Sequence, residues 1–454
     1  MALIERVLGK LALVAGAALL VYVGAVVVGG TLAAVSQTAP KPSGAAADTR
    51  NSQNNRALFL TGRNIFRNDT FGDQAFWGDA LQLHRALAGA RNGGVGPGVS
   101  PRTALSVGLK VDSARIPAAT AAAIKAGRVN LNDPAVTVAL LKLNAVVGVK
   151  GFFDRRGTMT SIGLTCAVCH STVDDSFAPG IGRRLDGWPN RDLNVGAIVA
   201  LAPNKKPITD LLGVDEATVN TVLASWGPGK FDATLFLDGK AFRPDGKSAA
   251  TLIPAAFGLA GVSLATYTGW GTVTYWNALV ANLEMHGIGT FEDSRLDDAQ
   301  RFPIAARNRF GHTRNRPDLI TSKLRALHVY QLALPAPKPP ASFFDAAAAR
   351  RGRTLFEGKA GCVGCHVQPN GTQPGWNLVT PAAICTDSFQ ADRSPTGGYR
   401  TTPLEGMFAR TKGGWYHDGR FPDLAAVVEH YNSCRGLGLT DAEKRDLVQY
   451  LRSR

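Results

Sequence analysis

From Leu11 to Val35 the chain reads LALVAGAALLVYVGAVVVGGTLAAV, without a charged side chain, and Arg6 and Lys10 stand just before it. The run is longer than the ~7–15 apolar residues of a cleaved secretory signal and reaches the ~20 that span a bilayer. Residues 1–35 are therefore expected to form an uncleaved membrane helix, positive end in the cytoplasm and the rest of the chain outside. Thr31 and Ala33 are small enough for a processing site, so a cleaved signal is the alternative. The pattern then inverts. Residues 36–56, SQTAPKPSGAAADTRNSQNNR, have too few apolar positions to bury, which predicts a flexible tether.

Further on, DPAVTVALLKLNAVVGVKGFFD (133–154) places Pro134 in a first helical turn and predicts a helix. TGWGTVTYWNALV (268–280), rich in aromatic and β-branched residues, reads as a short strand or as a helix continuing into ANLEMHG. LPAPKPPAS (334–342) is expected to be an extended, stiff linker between an N-terminal part, 57–333, and a C-terminal part, 343–454. The Ala-rich stretch after Asp345 predicts a helix ending near Gly358. In the closing LTDAEKRDLVQYLRSR, Thr440 and Glu443 form a capping box ahead of an apolar stripe of Leu447, Val448 and Leu451. Residues 57–130 carry no functional pattern.

With 454 residues, 45% of them hydrophobic, the chain can build two or three globular units. Lys and Arg outnumber Asp and Glu by 50 to 35, a net charge of +15. No Lys/Arg block is interleaved with aromatics, which argues against nucleic acid. The excess suits anionic lipid headgroups or acidic redox partners, where charge raises encounter rates more than affinity; a merely soluble basic surface is the plainer reading.

Four of the six cysteines fall in two copies of one pattern, CAVCH at 166–170 and CVGCH at 362–366. Two thiols three positions apart, followed at once by an imidazole, are what covalent haem c attachment requires: each Cys adds to a vinyl group and the His binds the iron. Cys166 and Cys169 with His170, and Cys362 and Cys365 with His366, are thus assigned to two covalently bound haem c groups. One zinc site or two redox dithiols would leave the two histidines unexplained. Haem c is attached on the outer side of the bacterial inner membrane, in keeping with the export segment. A helix before the second motif and another at the end is the arrangement of a c-type cytochrome domain. The fold expected is mainly α: two c-type cytochrome domains, the N-terminal one enlarged, behind a membrane helix.

PLEGMFARTKGGWYHDGRFPDLAAVVEHYN (403–432) resembles the bacterial di-haem cytochrome c peroxidase family, including its MauG-like branch. Tyr416, His417, Asp418 and Gly419 match the family's turn. Tyr431 falls in register with the sixth ligand of the second haem, which is Met in the peroxidases and Tyr in the MauG-like branch. CAVCHSTVDDSFAPGIGRRLDGWPNRD (166–192) is similar to the family's first haem segment, and the resemblance makes Trp188 the tryptophan between the haems. Arg183 and Arg184 stand where the family's distal histidine follows Gly-Ile-Gly, and no counterpart of its acidic and amide groups over the peroxide site is recognisable.

Function turns on the sixth ligands, since a haem with two firm ligands transfers electrons and one with an open face binds peroxide or oxygen. With four Met and eight His the candidates are few. Met407, in the loop after His366, is preferred for the second haem over Tyr431; Met285 or His286, adjacent and so not both, is the candidate for the first. Against these stand ordinary packing roles for all four. His417 reads as a turn or haem-edge residue, His430 as partly exposed, and His84, His312 and His328 as satisfied surface or core histidines. Cys385 and Cys434 share one domain and an oxidising compartment, which predicts a disulfide tying the loop after the haem to the helix of Tyr431. The leading expectation is a di-haem cytochrome on the periplasmic side of the inner membrane, anchored there or secreted. It would pass single electrons between donor and acceptor proteins. The alternative is a peroxidase or MauG-like oxidase with one open or Tyr-ligated haem.

Overall fold

Helices and helical turns make up most of the regular structure, and strands occur only as five two-stranded ribbons among the described residues. The structure is a computed structural model that describes residues 44–454. The apolar run expected as a membrane helix lies outside the described residues; among the described ones no helix is long and apolar enough to cross a membrane. The chain divides into Met1–Asn55 and Arg56–Arg454, and both cysteine motifs belong to the second unit.

The tether expected over 36–56 is corrected from residue 44 on, where a helix, Gly44–Asn68, begins. Its Ala-rich start favours the helix, and its last turns carry Ile65 and Phe66 into a buried cluster with Phe71, Met285 and Tyr330. The helix expected over 133–154 forms only as Pro134–Lys142, with Asp133 as its cap. The remainder is a strand, Val149–Phe153, antiparallel to Met159–Leu164 with Val149 opposite Leu164. Val146, Val147 and Val149 are β-branched, and the partner strand that decides the matter lies beyond the segment. For 268–280 the helical alternative holds: Thr272 caps Val273–Leu279, which widens into a π-helical turn, Val280–Glu284.

In the C-terminal part Asp345 accepts the N–H of Ala348 at 2.7 Å to cap the helix Ala346–Glu357. Thr440 and Glu443 complete the capping box of Asp441–Arg452. The two helices pack closely, Phe356 on Tyr450 with ring centroids 5.0 Å apart and Arg351 bidentate on Asp446 at 2.7 Å. Gly352 makes this approach feasible, since a Cβ there would lie 2.0 Å from the Asp446 carbonyl oxygen.

The stretch 334–342 does not hold the two parts away from one another. Arg393 is buried, its side chain 1% exposed, against fully buried Asp232 and Asp238. Its Nε lies 2.6 Å from Asp238 and its Nη2 3.0 Å from Asp232. The Leu252 N–H donates to the His417 carbonyl at 2.7 Å, and Arg243 reaches Asp387 and Asp418. A buried guanidinium is tolerable only with such partners, so the halves are docked by matched charges as well as by apolar surface.

Candidate functional site

The second motif follows Gly361, whose φ of +60° turns the chain into a helical turn at Cys362–Gly364. His366 is fixed by its Nδ1, 2.8 Å from the Gly371 carbonyl oxygen. Burial lowers its pKa, which favours the neutral ring with its proton on Nδ1, the tautomer that an axial imidazole needs. His170 is held in the same way, Nδ1 at 3.1 Å from the Pro254 carbonyl oxygen, and burial takes its pKa down to about 4. A surface histidine such as His312, clamped by Glu292 and Asp297 through both nitrogens, is the opposite case.

A cavity of about 270 Å³ opens beside the second motif. Cys362, Cys365, His366, Met407 and Tyr431 all line it, so both candidate sixth ligands border the cavity of the second motif. Both are already engaged, Tyr431 through a hydroxyl hydrogen bond with Tyr416. The Met407 sulfur takes the Arg410 guanidinium at 3.4 Å and its backbone N–H is bound to the terminal Arg454 carbonyl, within a packed cluster. Tyr431 stands on the helix Leu424–Arg435 with its ring 6.3 Å from that of Tyr416, and burial raises its pKa. Cys385 and Cys434 are bonded, S–S 2.07 Å, and join this helix to the loop after the motif. His417 is buried at the same cavity, stacked on Tyr399 at 5.1 Å, with an unpartnered Nε2 and a pKa lowered by burial to about 4.

The other half of the chain supplies part of the lining: Arg191, Pro254, Phe257 and Tyr267. Four arginines line the cavity, Arg191, Arg400, Arg410 and Arg435, beside one carboxylate, Glu405, which is paired with Arg454; the first three are the buried ones, and they form no ion pair among the described residues. Each has an Nε that is buried without a hydrogen-bond partner. Burial lowers Arg400 and Arg410 to about 10, which leaves both cationic at neutral pH.

The first motif sits in one turn, Ala167–His170, between the strands Met159–Leu164 and Ser171–Val173. Burial pushes the Cys166 and Cys169 thiols up to about 12, the reverse of what a redox dithiol needs. Among the described residues no three His, Cys, Asp or Glu side chains gather as a metal cluster, so the two Cys pairs are not one zinc site. Thioether formation asks only for two thiols on one turn and a neutral imidazole with a free nitrogen, and both motifs fit that requirement.

Met285 and His286 diverge. Met285 packs in the cluster that includes Ala167 and adjoins Cys166. His286, at φ +59°, stacks on Phe76 at 3.7 Å and lies edge-on to Phe236. Its Nε2 is buried without a partner and its pKa falls to about 4 through burial. The residue before the pair is one that pattern reading missed: Glu284 is buried, its Oε2 has no partner, and burial raises it well above the carboxylate range. It faces a small cavity of about 30 Å³ with Phe76, Trp77 and Phe236, close enough to Cys169 to raise that thiol by charge. An acid in an otherwise apolar helix, next to flagged residues, was the available signal.

Trp188 connects the surroundings of the two motifs. The N–H of its neighbour Gly187 donates to the His170 carbonyl at 2.7 Å, and that of Asn190 to the Cys169 carbonyl at 2.8 Å. Its ring packs edge-on against Phe257 at 6.4 Å and Phe408 at 5.4 Å, beside the second cavity. Arg184 is buried against Asp112 at 3.4 Å, while Arg183 pairs with Asp174 in solvent. His84 is bound to the Gly78 carbonyl, His328 to the Thr274 hydroxyl and the half-buried His430 to the Ile384 carbonyl.

No protein-family model matches the chain. A chain of Kuenenia stuttgartiensis hydrazine synthase, solved under xenon pressure, is 22% identical over 32% of this chain and 58% of its own, with a TM-score of 0.20, too low to equate the folds. The methylamine utilization protein MauG of Methylorubrum extorquens is 25% identical over 221 residues, 40% of this chain. The chain spans 60% of that relative's length.

Proposed function

We propose that the chain is a periplasmic di-haem c oxidoreductase of the MauG-like kind, built from two c-type cytochrome domains that share one interface. Cys166, Cys169 and His170 would hold one haem, and Cys362, Cys365 and His366 the other. When bound, the groups supply one-electron chemistry, and an open axial face adds the binding of peroxide or oxygen. The observation that carries the reading is the pair of uncommitted groups near the first motif: a buried Glu284 carboxyl with an unpartnered Oε2, raised by burial well above the carboxylate range, and the His286 Nε2. A relay of electrons has no use for an unpaired buried acid, whereas proton transfer to a bound oxidant does.

Tyr431 is favoured over Met407 as the second sixth ligand on the register of the family resemblance; both are engaged in this structure, Met407 by Arg410 and Tyr431 by Tyr416. Trp188 would carry the electron path between the motifs, its backbone neighbours hanging on the first and its ring packed beside the second cavity. Acidic electron donors and acceptors suit the basic surface, and anchoring through residues 1–35 or release to the periplasm suits the N-terminal segment. The relay reading, with Met407 and either Met285 or His286 as ligands, keeps one observation in its favour, the presence of Met407 on the cavity wall.

The test is carbon monoxide binding to the fully reduced protein, followed by peroxide oxidation of wild type and Glu284→Gln. A spectral shift in about half of the haem, and a slowing by about 100-fold in the variant, are expected. No response to carbon monoxide would return the relay reading.

A further inference from the structure

We propose that Arg191, Arg400 and Arg410 form a clamp for the two carboxylates of the second haem, with one of its three cations supplied across the interface by the first-motif loop. The clamp rests on the di-haem reading, with haem occupying the cavity beside Cys362, Cys365 and His366.

None of these side chains has an ion pair of its own among the described residues: the one carboxylate on the cavity lining, Glu405, is paired with Arg454. Buried guanidinium groups are found with carboxylates or with their N–H groups satisfied. Here the neighbours are neutral carbonyls: Arg400 donates to the Leu264 oxygen at 2.9 Å, Arg410 to those of Pro403 at 2.8 Å and Glu405 at 2.6 Å, and Arg191 to that of Lys412 at 3.4 Å. Each keeps its Nε unpartnered, and all three line one cavity. Three cations left without ion pairs in one apolar enclosure would be costly, unless an anion enters with whatever fills it. A haem brings two carboxylates, and a guanidinium fork fits a carboxylate.

Arg191 has a special place. Its loop hangs from the first motif through the Gly187 and Asn190 amides, and the next residue, Asp192, binds Lys110 at 2.6 Å and Lys412 at 2.8 Å. The guanidinium is therefore positioned by one half of the protein and used by the other. With Arg435 also on the lining and Glu405 paired to Arg454, three clamp cations against two carboxylates would leave the second haem in a net positive field. Such a field favours the ferrous state over the ferric and raises the potential.

The experiment uses the full holoprotein. Pyridine haemochrome first counts haem per chain; fewer than two in the wild type would remove the haem reading itself. Arg191→Gln, Arg400→Gln and Arg410→Gln are then titrated reductively beside Arg183→Gln, a solvent-exposed control. Each of the three should move one of the two potentials to a more negative value and leave the other in place, with the haem count unchanged and the propionate-bending bands of the resonance Raman spectrum shifted. Arg400→Lys and Arg410→Lys, which keep the charge and lose the fork, should hold the potential near wild type while still shifting those bands. Unmoved potentials with both haems attached, or lysine variants that behave as the glutamine ones do, would overturn the clamp.

Discussion

Replacing Arg393 by methionine removes the charge that docks the C-terminal part onto Asp232 and Asp238 and keeps much of the apolar stem. All three side chains are 0–1% exposed, so water cannot stand in for the lost guanidinium. Breaking a buried pair from one side costs about 3–5 kcal/mol, because the remaining charge is stranded; with two carboxyls stranded, the upper end of that range is expected. The loss should depend on pH. Burial raises Asp232 above its ordinary value even with Arg393 beside it, and Arg393 is what pulls it back down. Without the guanidinium its folded pKa rises further above the unfolded ~3.9. A native state that binds a proton the unfolded chain has released loses stability as pH rises and regains it as pH falls. Guanidinium unfolding followed by far-UV circular dichroism between about pH 8 and pH 5 should therefore show a deficit that narrows toward acid. A loss below about 1 kcal/mol, or one indifferent to pH, would mean that apolar contact alone docks the halves.

Other outcomes are tied to single features. Gly352→Ala should destabilise the protein by about 1–3 kcal/mol in the same assay, because the added methyl meets the Asp446 carbonyl and overpacks the helix pair; an unchanged midpoint would mean that the helices separate at little cost. Cys385→Ser with Cys434→Ser opens a loop with a sequence separation of 49 and should cost about 4 kcal/mol on the chain-entropy account. Alkylation before reduction should label neither cysteine in the wild type, and labelling of both would refute the bond. Tyr431→Phe should change the ferric spectrum of one haem while Met407→Leu leaves it in place; the reverse would restore Met407 as the ligand.

What the sequence could reveal depended on the range of the interactions concerned. The capping box at Thr440 and Glu443 and the helix after Asp345 are closed within a few residues, so pattern reading places them well. The strand Val149–Phe153 owes its state to Met159–Leu164, and the helical reading stopped too late because the deciding partner lay outside it. The polar stretch from 44 to 56 lacks an apolar face, yet it continues into one at Ile65 and Phe66, and the helix is set by the whole run. At the site, residues that carry their chemistry in a spacing were legible, as the two motifs were. Arg191, Arg400 and Arg410 have ordinary neighbours in sequence and become notable only because folding buries them with an Nε left unpartnered.

The shared lining of the second cavity bears on how the protein is made. Cys362 and Cys365 line a cavity that Arg191, Pro254 and Phe257 of the other half also line, and burial pushes the Cys362 thiol up to about 11. A thiol so firmly protonated is a poor nucleophile. On the di-haem proposal, attachment at the second motif would then precede docking of the two halves. An Arg393→Met chain, slower to close, should leave the cell with its second motif as fully loaded as the wild type, and underloading would show instead that the docked form is the one that receives its haem.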